Sequence, residues 1–253
     1  MPLYSCEGVV LRAQRIEEAD RLVHFFTDQF GRLRVRIKGV ARSSSRYGSI
    51  AELFSHDHLS LYRAREDAPV FQLTRGSLLH SNERLRAELP RYYAASFVVE
   101  LVDSCTQDGD PHYDLWLLLL ETLELLGRLE ALWALLLAFQ LRAFHLFGVG
   151  LDFSRCSGCG ESPPEPPVVL GAARGGLLCR RCRRQDPSAE ALSPELHPLL
   201  LRATLGPLDQ AAALDCPQAL WQEAVRALRP FGQHHLDFDP KSLRFLLSDP
   251  SAD

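Results

Sequence analysis

Arg32-Leu33-Arg34-Val35-Arg36-Ile37-Lys38 decides how the first third of this chain is read. The run alternates strictly, which predicts a strand. Leu33, Val35 and Ile37 then share one face, and Arg32, Arg34, Arg36 and Lys38 share the other. Phe30-Gly31 supplies a turn just before it. Working outward, Cys6–Gln14 and Leu22–Thr27 read as strands upstream, and Asp57–Tyr62 and Val70–Thr74 as strands downstream. Five short strands with no long helix between them predict a small barrel or compact all-β domain over residues 1–80.

The basic face has no compensating acid nearby. Between Gln29 and Ala51 stand Arg32, Arg34, Arg36, Lys38, Arg42 and Arg46, with no Asp or Glu. Aligned like charges repel mildly, and a polyanion relieves that while releasing counterions. Arg42-Ser43-Ser44-Ser45-Arg46-Tyr47-Gly48 reads as a basic loop in which Tyr47 offers a ring for stacking on a base. The alternative is a solvated strand face. The whole chain of 253 residues carries a net charge of -4, which by itself argues against a generally basic nucleic-acid binder. The charge is divided unevenly: residues 1–80 carry +3 and the remainder -7. A localised, salt-sensitive footprint is therefore expected on the first segment.

Residues 81–154 read as helical, the first part of a helical domain. Leu85–Cys105 has Pro90 placed for a first turn, and Tyr113–Leu126 and Glu130–Phe147 read as an antiparallel pair. Residues 186–253 form the second part. Helix starts are expected at Ser188-Ala189-Glu190 and Ser193-Pro194-Glu195, with helices over Leu192–Leu205, Pro217–Leu228 and Ser242–Leu246. Residues 155–185, rich in Gly, Pro and Cys, read as an insertion, so the fold class is α+β multidomain. No secretory signal is apparent, and the longest apolar stretch, Ala131–Leu141, is too short to span a bilayer.

That insertion carries the sharpest chemical signal. Cys156-Ser157-Gly158-Cys159 and Cys179-Arg180-Arg181-Cys182 form a C-x2-C-x19-C-x2-C pattern. A two-residue gap lets one tight turn present two sulfurs, and two such turns supply a tetrahedral thiolate set for one structural Zn²⁺. An iron–sulfur cluster accepts the same ligands. The segment between the pairs suits a short hairpin. Arg155, Arg174, Arg180, Arg181, Arg183 and Arg184 surround the cysteines; offsetting the negative charge of such a centre accounts for Arg180 and Arg181, while Arg183 and Arg184 suit either that role or a phosphate contact. An odd total of seven cysteines, four of them clustered, points to a reducing cytoplasm rather than a disulfide framework.

Catalytic patterns are weak by comparison. No phosphate-binding glycine loop, zinc-protease helix or nucleophile elbow occurs in the sequence. His56 and His58 share a strand face without a third ligand. Glu17, Glu18 and Asp20 resemble a carboxylate cluster for Mg²⁺ but fall in a turn. A non-catalytic protein is expected.

The order of these features resembles the RecO family of bacterial recombination and repair mediators. The resemblance runs through Gly8-Val9-Val10-Leu11-Arg12, Glu18-Ala19-Asp20-Arg21-Leu22-Val23, Phe26-Thr27, Gly31-Arg32-Leu33 and Lys38-Gly39-Val40-Ala41-Arg42. It continues through the two cysteine pairs to His235-Leu236 and Lys241-Ser242-Leu243-Arg244. It implies an N-terminal OB-fold that binds single- and double-stranded DNA, with Arg12, Arg21, Arg32 and Arg34 on that domain, and an inserted zinc finger. It also implies strand annealing, recombinase loading, a RecR-type mediator partner, single-strand-binding protein as a partner, and a place in the bacterial cytoplasm at the nucleoid. Asp237 and Asp239 depart from the family's tail and weaken the case for DNA contact there. The rival reading is a zinc-containing adaptor that binds only proteins.

Overall fold

Alternating side chains close one sheet on itself. In the computed structural model, which describes residues 3–40, 47–65, 68–162, 164, 166–186 and 189–248, the N-terminal strands are β1 (Leu3–Arg15), β2 (Arg21–Thr27), β3 (Gly31–Ile37), β4 (His56–Tyr62) and β5 (Phe71–His80). They form a closed barrel in the order β1-β2-β3-β5-β4. β1 is long enough to pair twice, through Leu3–Val9 with β4 and through Gly8–Arg15 with β2. A register shift between Val10 and Arg12 lets Val10 and Leu11 both be buried. Closure comes from a short parallel contact, Val35 opposite Phe71 and Arg36 opposite Gln72. This is OB-type topology. Phe25, Val35, Ile37, Leu59 and Leu61 fill the interior, as the alternation requires.

β5 runs to His80, six residues beyond its expected end at Thr74. Most side chains from Thr74 onward are exposed, so this half of the strand carries no buried period to read. The helix expected over Leu85–Cys105 is two helices, α1 (Glu83–Ala87) and α2 (Leu89–Cys105), separated by extended Glu88. Pro90 has no N–H to donate to the Arg86 carbonyl, so one helix cannot run through. Pro90 instead occupies the first turn of α2. α3 (Tyr113–Arg128) follows. Residues 1–127 form one compact unit and residues 128–253 a second.

The second unit contains α4 (Trp133–Leu146), β6 (Val169–Gly171), β7 (Gly176–Leu178), β8 (Glu190–Ala191), α5 (Leu196–Ala203), α6 (Leu208–Ala212), α7 (Gln218–Leu236) and α8 (Leu243–Ser248). Trp133 of α4 stacks near Trp221 of α7 with ring centroids 4.6 Å apart, and Phe144 meets Phe231 at 5.5 Å. Those contacts explain why α7 passes through Pro230 instead of stopping at Leu228. A proline in a helix interior costs about 3 kcal/mol, and burial of Phe231 offsets it. Glu190 belongs to β8, paired with β6, where a helix start was expected. Among the described residues, no helix is long and apolar enough to cross a membrane.

Candidate metal centre and nucleic-acid interface

The four cysteines converge. The Sγ atoms of Cys156, Cys159, Cys179 and Cys182 all lie within 4.8 Å of one another. Four thiolates around a tetrahedral zinc at Zn–S about 2.3 Å would stand about 3.8 Å apart, and Cys159 and Cys179 are separated by 3.8 Å. Backbone geometry holds the set. Gly160 N–H donates to the Cys156 carbonyl at 2.8 Å, and Gly160 has φ +76°, a conformation that glycine adopts freely. Cys182 N–H donates to the Cys179 carbonyl at 3.0 Å in the second knuckle. The expected hairpin is β6–β7, and Ser157 N–H fastens the first knuckle to it through the Leu177 carbonyl at 2.8 Å.

The electrostatics suit a cation. Burial favours the neutral Cys156 thiol, but N–H donors from Cys179, Cys159 and Gly158 outweigh it and bring the group to about 6. Burial and its sulfur neighbours push Cys182 up to about 12. A bound dication would hold coordinating thiols in the thiolate form. Cys156, Cys179 and Cys182 are buried while Cys159 is exposed. Arg181 reaches back across the centre to Glu161 at 2.7 Å, and Arg155 pairs with Asp152 at 2.7 Å. Arg183 and Arg184 instead line a cavity of 340 Å³ with Val169, Asp186 and Ala189.

On the barrel, β1, β2 and β3 present one outer face. Registers place Arg12 opposite His24 and His24 opposite Arg34, a single row across three strands. Gln14, Leu22 and Arg36 form the next row. Arg12 and Lys38 are exposed. The β3 arginines, however, are not bare. Arg36 Nη2 lies 2.7 Å from both Glu17 and Asp20. Asp20 also accepts from Gly39 N–H at 2.9 Å. That bond first, then Arg36, holds its carboxyl below the usual range. The Glu17–Asp20 turn is thus tied to the end of β3, and the possible Mg²⁺ cluster resolves into ion pairs.

At the other end of β3, Arg32 Nε lies 2.8 Å and Arg34 Nε 2.9 Å from the two oxygens of Asp108. Arg32 also meets the Asp103 carboxylate at 3.2 Å and its carbonyl, and His24 Nδ1 stands 3.7 Å from the same carboxylate. Burial would raise Asp103, but His24 and Arg32 together lower it. The expectation of a strand face without neutralising acid is therefore corrected. The acids arrive from the end of α2 and the segment after it, about 70 residues away in sequence.

Two other positions differ from expectation. Arg21 is drawn to Glu52 at 3.6 Å and to the Ala51 carbonyl. Tyr47 packs against the barrel core, and its hydroxyl donates to the Thr74 carbonyl at 3.2 Å. Its ring is a packing element where the sequence suggested a stacking platform. Arg42 and Arg46 lie outside the described residues. Sequence reading missed Asp103 and Asp108. Their only signal is an aspartate-rich stretch, Asp103 to Asp110, where α2 gives way to a turn.

The segment's fit to β3 is close. Gly109 N–H donates to the Arg32 carbonyl at 3.0 Å. Gly31 has φ +62°, and a Cβ there would stand 2.0 Å from the Asp110 carbonyl oxygen. Gly31→Ala is expected to cost at least about 1–2 kcal/mol for the left-handed backbone alone, and to displace residues 108–110. An unchanged thermal midpoint would contradict this fit.

Comparison with known proteins agrees with both halves. The family model for the recombination protein O N terminal matches residues 1–82, and that for the recombination protein O C terminal matches residues 86–244. The chain belongs to the RecO family. Among its RecO relatives, each named DNA repair protein RecO, that of Desulforudis audaxviator is 32% identical over 97% of this chain and 97% of its own length. The relative from Roseiflexus is 32% identical over 96% of this chain and 85% of its own length. The one from Frankia casuarinae is 32% identical over 97% and 99%.

Proposed function

We propose that this RecO-family chain acts in DNA repair and recombination as a non-catalytic mediator, holding DNA strands by their phosphates and promoting their pairing. The observation that carries this reading is the arginine-bearing outer face of the OB-type barrel, where Arg12 and Arg34 share a row with His24 and Arg36 stands in the next row, with exposed Lys38 in the turn after β3. Partial neutralisation of two strands on such a face lowers their mutual repulsion, so complementary strands anneal without nucleotide hydrolysis. Nothing on the face is arranged to read base edges, so little sequence preference is expected.

The finer assignments follow. The four-cysteine centre holds one Zn²⁺, a closed structural site that fixes the inserted loop. Residues 1–80 serve as the DNA-binding domain, and residues 81–154 and 186–253 as a helical domain that carries residues 155–185 as the zinc insertion. Partners are single- and double-stranded DNA, a RecR-type mediator and single-strand-binding protein, in the cytoplasm at the nucleoid, with recombinase loading as the outcome. The deciding experiment is strand annealing on DNA coated with single-strand-binding protein, with and without ATP. Annealing independent of ATP supports the proposal, and its absence removes it.

A second reading, the protein-binding adaptor, is favoured by the carboxylate partners on Arg32, Arg34 and Arg36. Fluorescence anisotropy separates the two. Replacing Arg34 and Arg36 by alanine is expected to weaken single-strand binding and to flatten its salt dependence by about 0.7 in log–log slope per lost phosphate contact. Affinity unchanged by the pair of substitutions would place DNA elsewhere.

A further inference from the structure

We propose that Asp108 occupies a phosphate subsite formed by Arg32 and Arg34, and that DNA must displace it to use the full barrel face. This rests on the DNA-binding reading above and concerns how that face is controlled.

The contact has the form of a phosphate contact. One carboxylate spans two guanidinium groups that stand two residues apart on one strand face: Arg32 Nε donates to it at 2.8 Å, and Arg34 Nε lies 2.9 Å from its other oxygen as an ion pair without hydrogen-bond alignment. A bridging phosphate offers the same charge sign and the same paired oxygens. The carboxylate is delivered by backbone. β3 pairs with β5 only at Val35 and Arg36, which leaves its first residues with an open edge on that side. Residues 108–110 cover that edge: Asp108 bridges to Gly31 and Arg32, and Gly109 N–H donates to the Arg32 carbonyl at 3.0 Å. The absence of a side chain at Gly31 admits the Asp110 carbonyl.

The contact is also displaceable. The side chains of Arg34 and Asp108 are each 38% exposed, and ion pairs open to water contribute little individually. A polyanion that also engages Arg12 and Lys38 gains contacts that Asp108 cannot supply. Arg12 and Lys38 are both exposed to solvent. Asp103 is different. It is more buried than Asp108 and is held by both Arg32 and His24, so it anchors Arg32 while Asp108 yields.

The test is single-strand binding by the full chain, read by anisotropy with a fluorescent oligothymidylate across a salt series. Asp108→Asn keeps the size of the side chain and removes the charge. It is expected to bind about fivefold more tightly at low salt, the equivalent of two weak exposed ion pairs no longer competing. Its log–log salt slope is expected to be steeper by about 0.7, the value of one single-strand phosphate contact. Adding Arg34→Ala to Asp108→Asn is expected to abolish the gain. Equal or weaker binding by folded Asp108→Asn, while the unsubstituted chain binds, overturns the proposal and leaves the DNA reading standing. Failure of both proteins to bind at low salt overturns both. A second measurement needs no substitution: saturating oligothymidylate is expected to speed amide exchange at Gly109 as the segment lifts. Slower or unchanged exchange there overturns the displacement.

Discussion

Cys179→Ser is expected to reduce bound zinc from about one per chain to a small fraction, and to melt the β6–β7 hairpin with its two knuckles. Cys179 is buried, its N–H donates to Cys156 Sγ at 3.3 Å, and its carbonyl closes the second knuckle. The residue therefore supplies a ligand and the backbone that aims two others. Structural zinc contributes about 10–16 kcal/mol of apparent binding free energy in small zinc-finger peptides. The strands around this centre are only three and two residues long, and the metal would add to the support given by the buried Val169, Leu170, Leu177 and Leu178. Elemental analysis and amide exchange over residues 166–186 check the outcome. Full zinc content in the variant, or a metal-free wild-type chain with reduced thiols and a protected hairpin, would refute the structural role. The centre need not be rigid to its rim: Cys159 is the exposed ligand, so Cys159→Ser is the milder lesion.

The second large effect concerns pH. Asp57 faces the barrel interior with Leu59 and Leu61 and is 0% exposed. Ser55 donates to one carboxylate oxygen at 2.7 Å, while the other has no hydrogen-bond partner among the described residues. Burial raises this carboxyl from 3.8 to about 7, against smaller opposing effects of Ser55 and Arg86. The folded state thus keeps a proton that the unfolded chain releases near pH 4, and stability falls as pH rises between those values. Above pH 7 the full penalty is about 4 kcal/mol, of which more than half develops between pH 5 and pH 8. Neighbouring His56 works in the opposite direction, because burial lowers it and acidification then opposes folding. Comparison with Asp57→Asn isolates the carboxyl. Relative to wild type, the variant is expected to gain about 2–3 kcal/mol over that interval, read by amide exchange of β1 and β4. A difference independent of pH would show that Asp57 is ionised in the barrel.

Sequence made the barrel legible where burial imposes a period. Leu33, Val35 and Ile37 alternate with arginines because one side of β3 is core, as the alternation predicts, although Lys38 falls in the turn beyond the strand and not on its face. Prediction failed where burial is absent, as in the outer half of β5, and where packing overrides local preference, as at Pro230. The convergence of the four cysteines was legible because a two-residue gap is itself a geometric statement. The barrel face was half legible. Arginines announce themselves along a strand, but Asp103 and Asp108 reach them only through the tertiary fold, and no local pattern reports a partner about 70 residues away. Net charge per segment shared that blindness, counting those acids with the helices although they sit on the basic face.

The positions of these parts along the chain also set a timetable for biogenesis. Every strand of the barrel lies before residue 81, and the first unit is complete by residue 127. The last metal ligand, Cys182, is made about a hundred residues after β5 ends. At about 5–20 residues per second, the barrel has several seconds on the ribosome to close before the second knuckle exists. A cell starved of zinc would therefore be expected to produce chains whose barrel is finished while the later unit stalls.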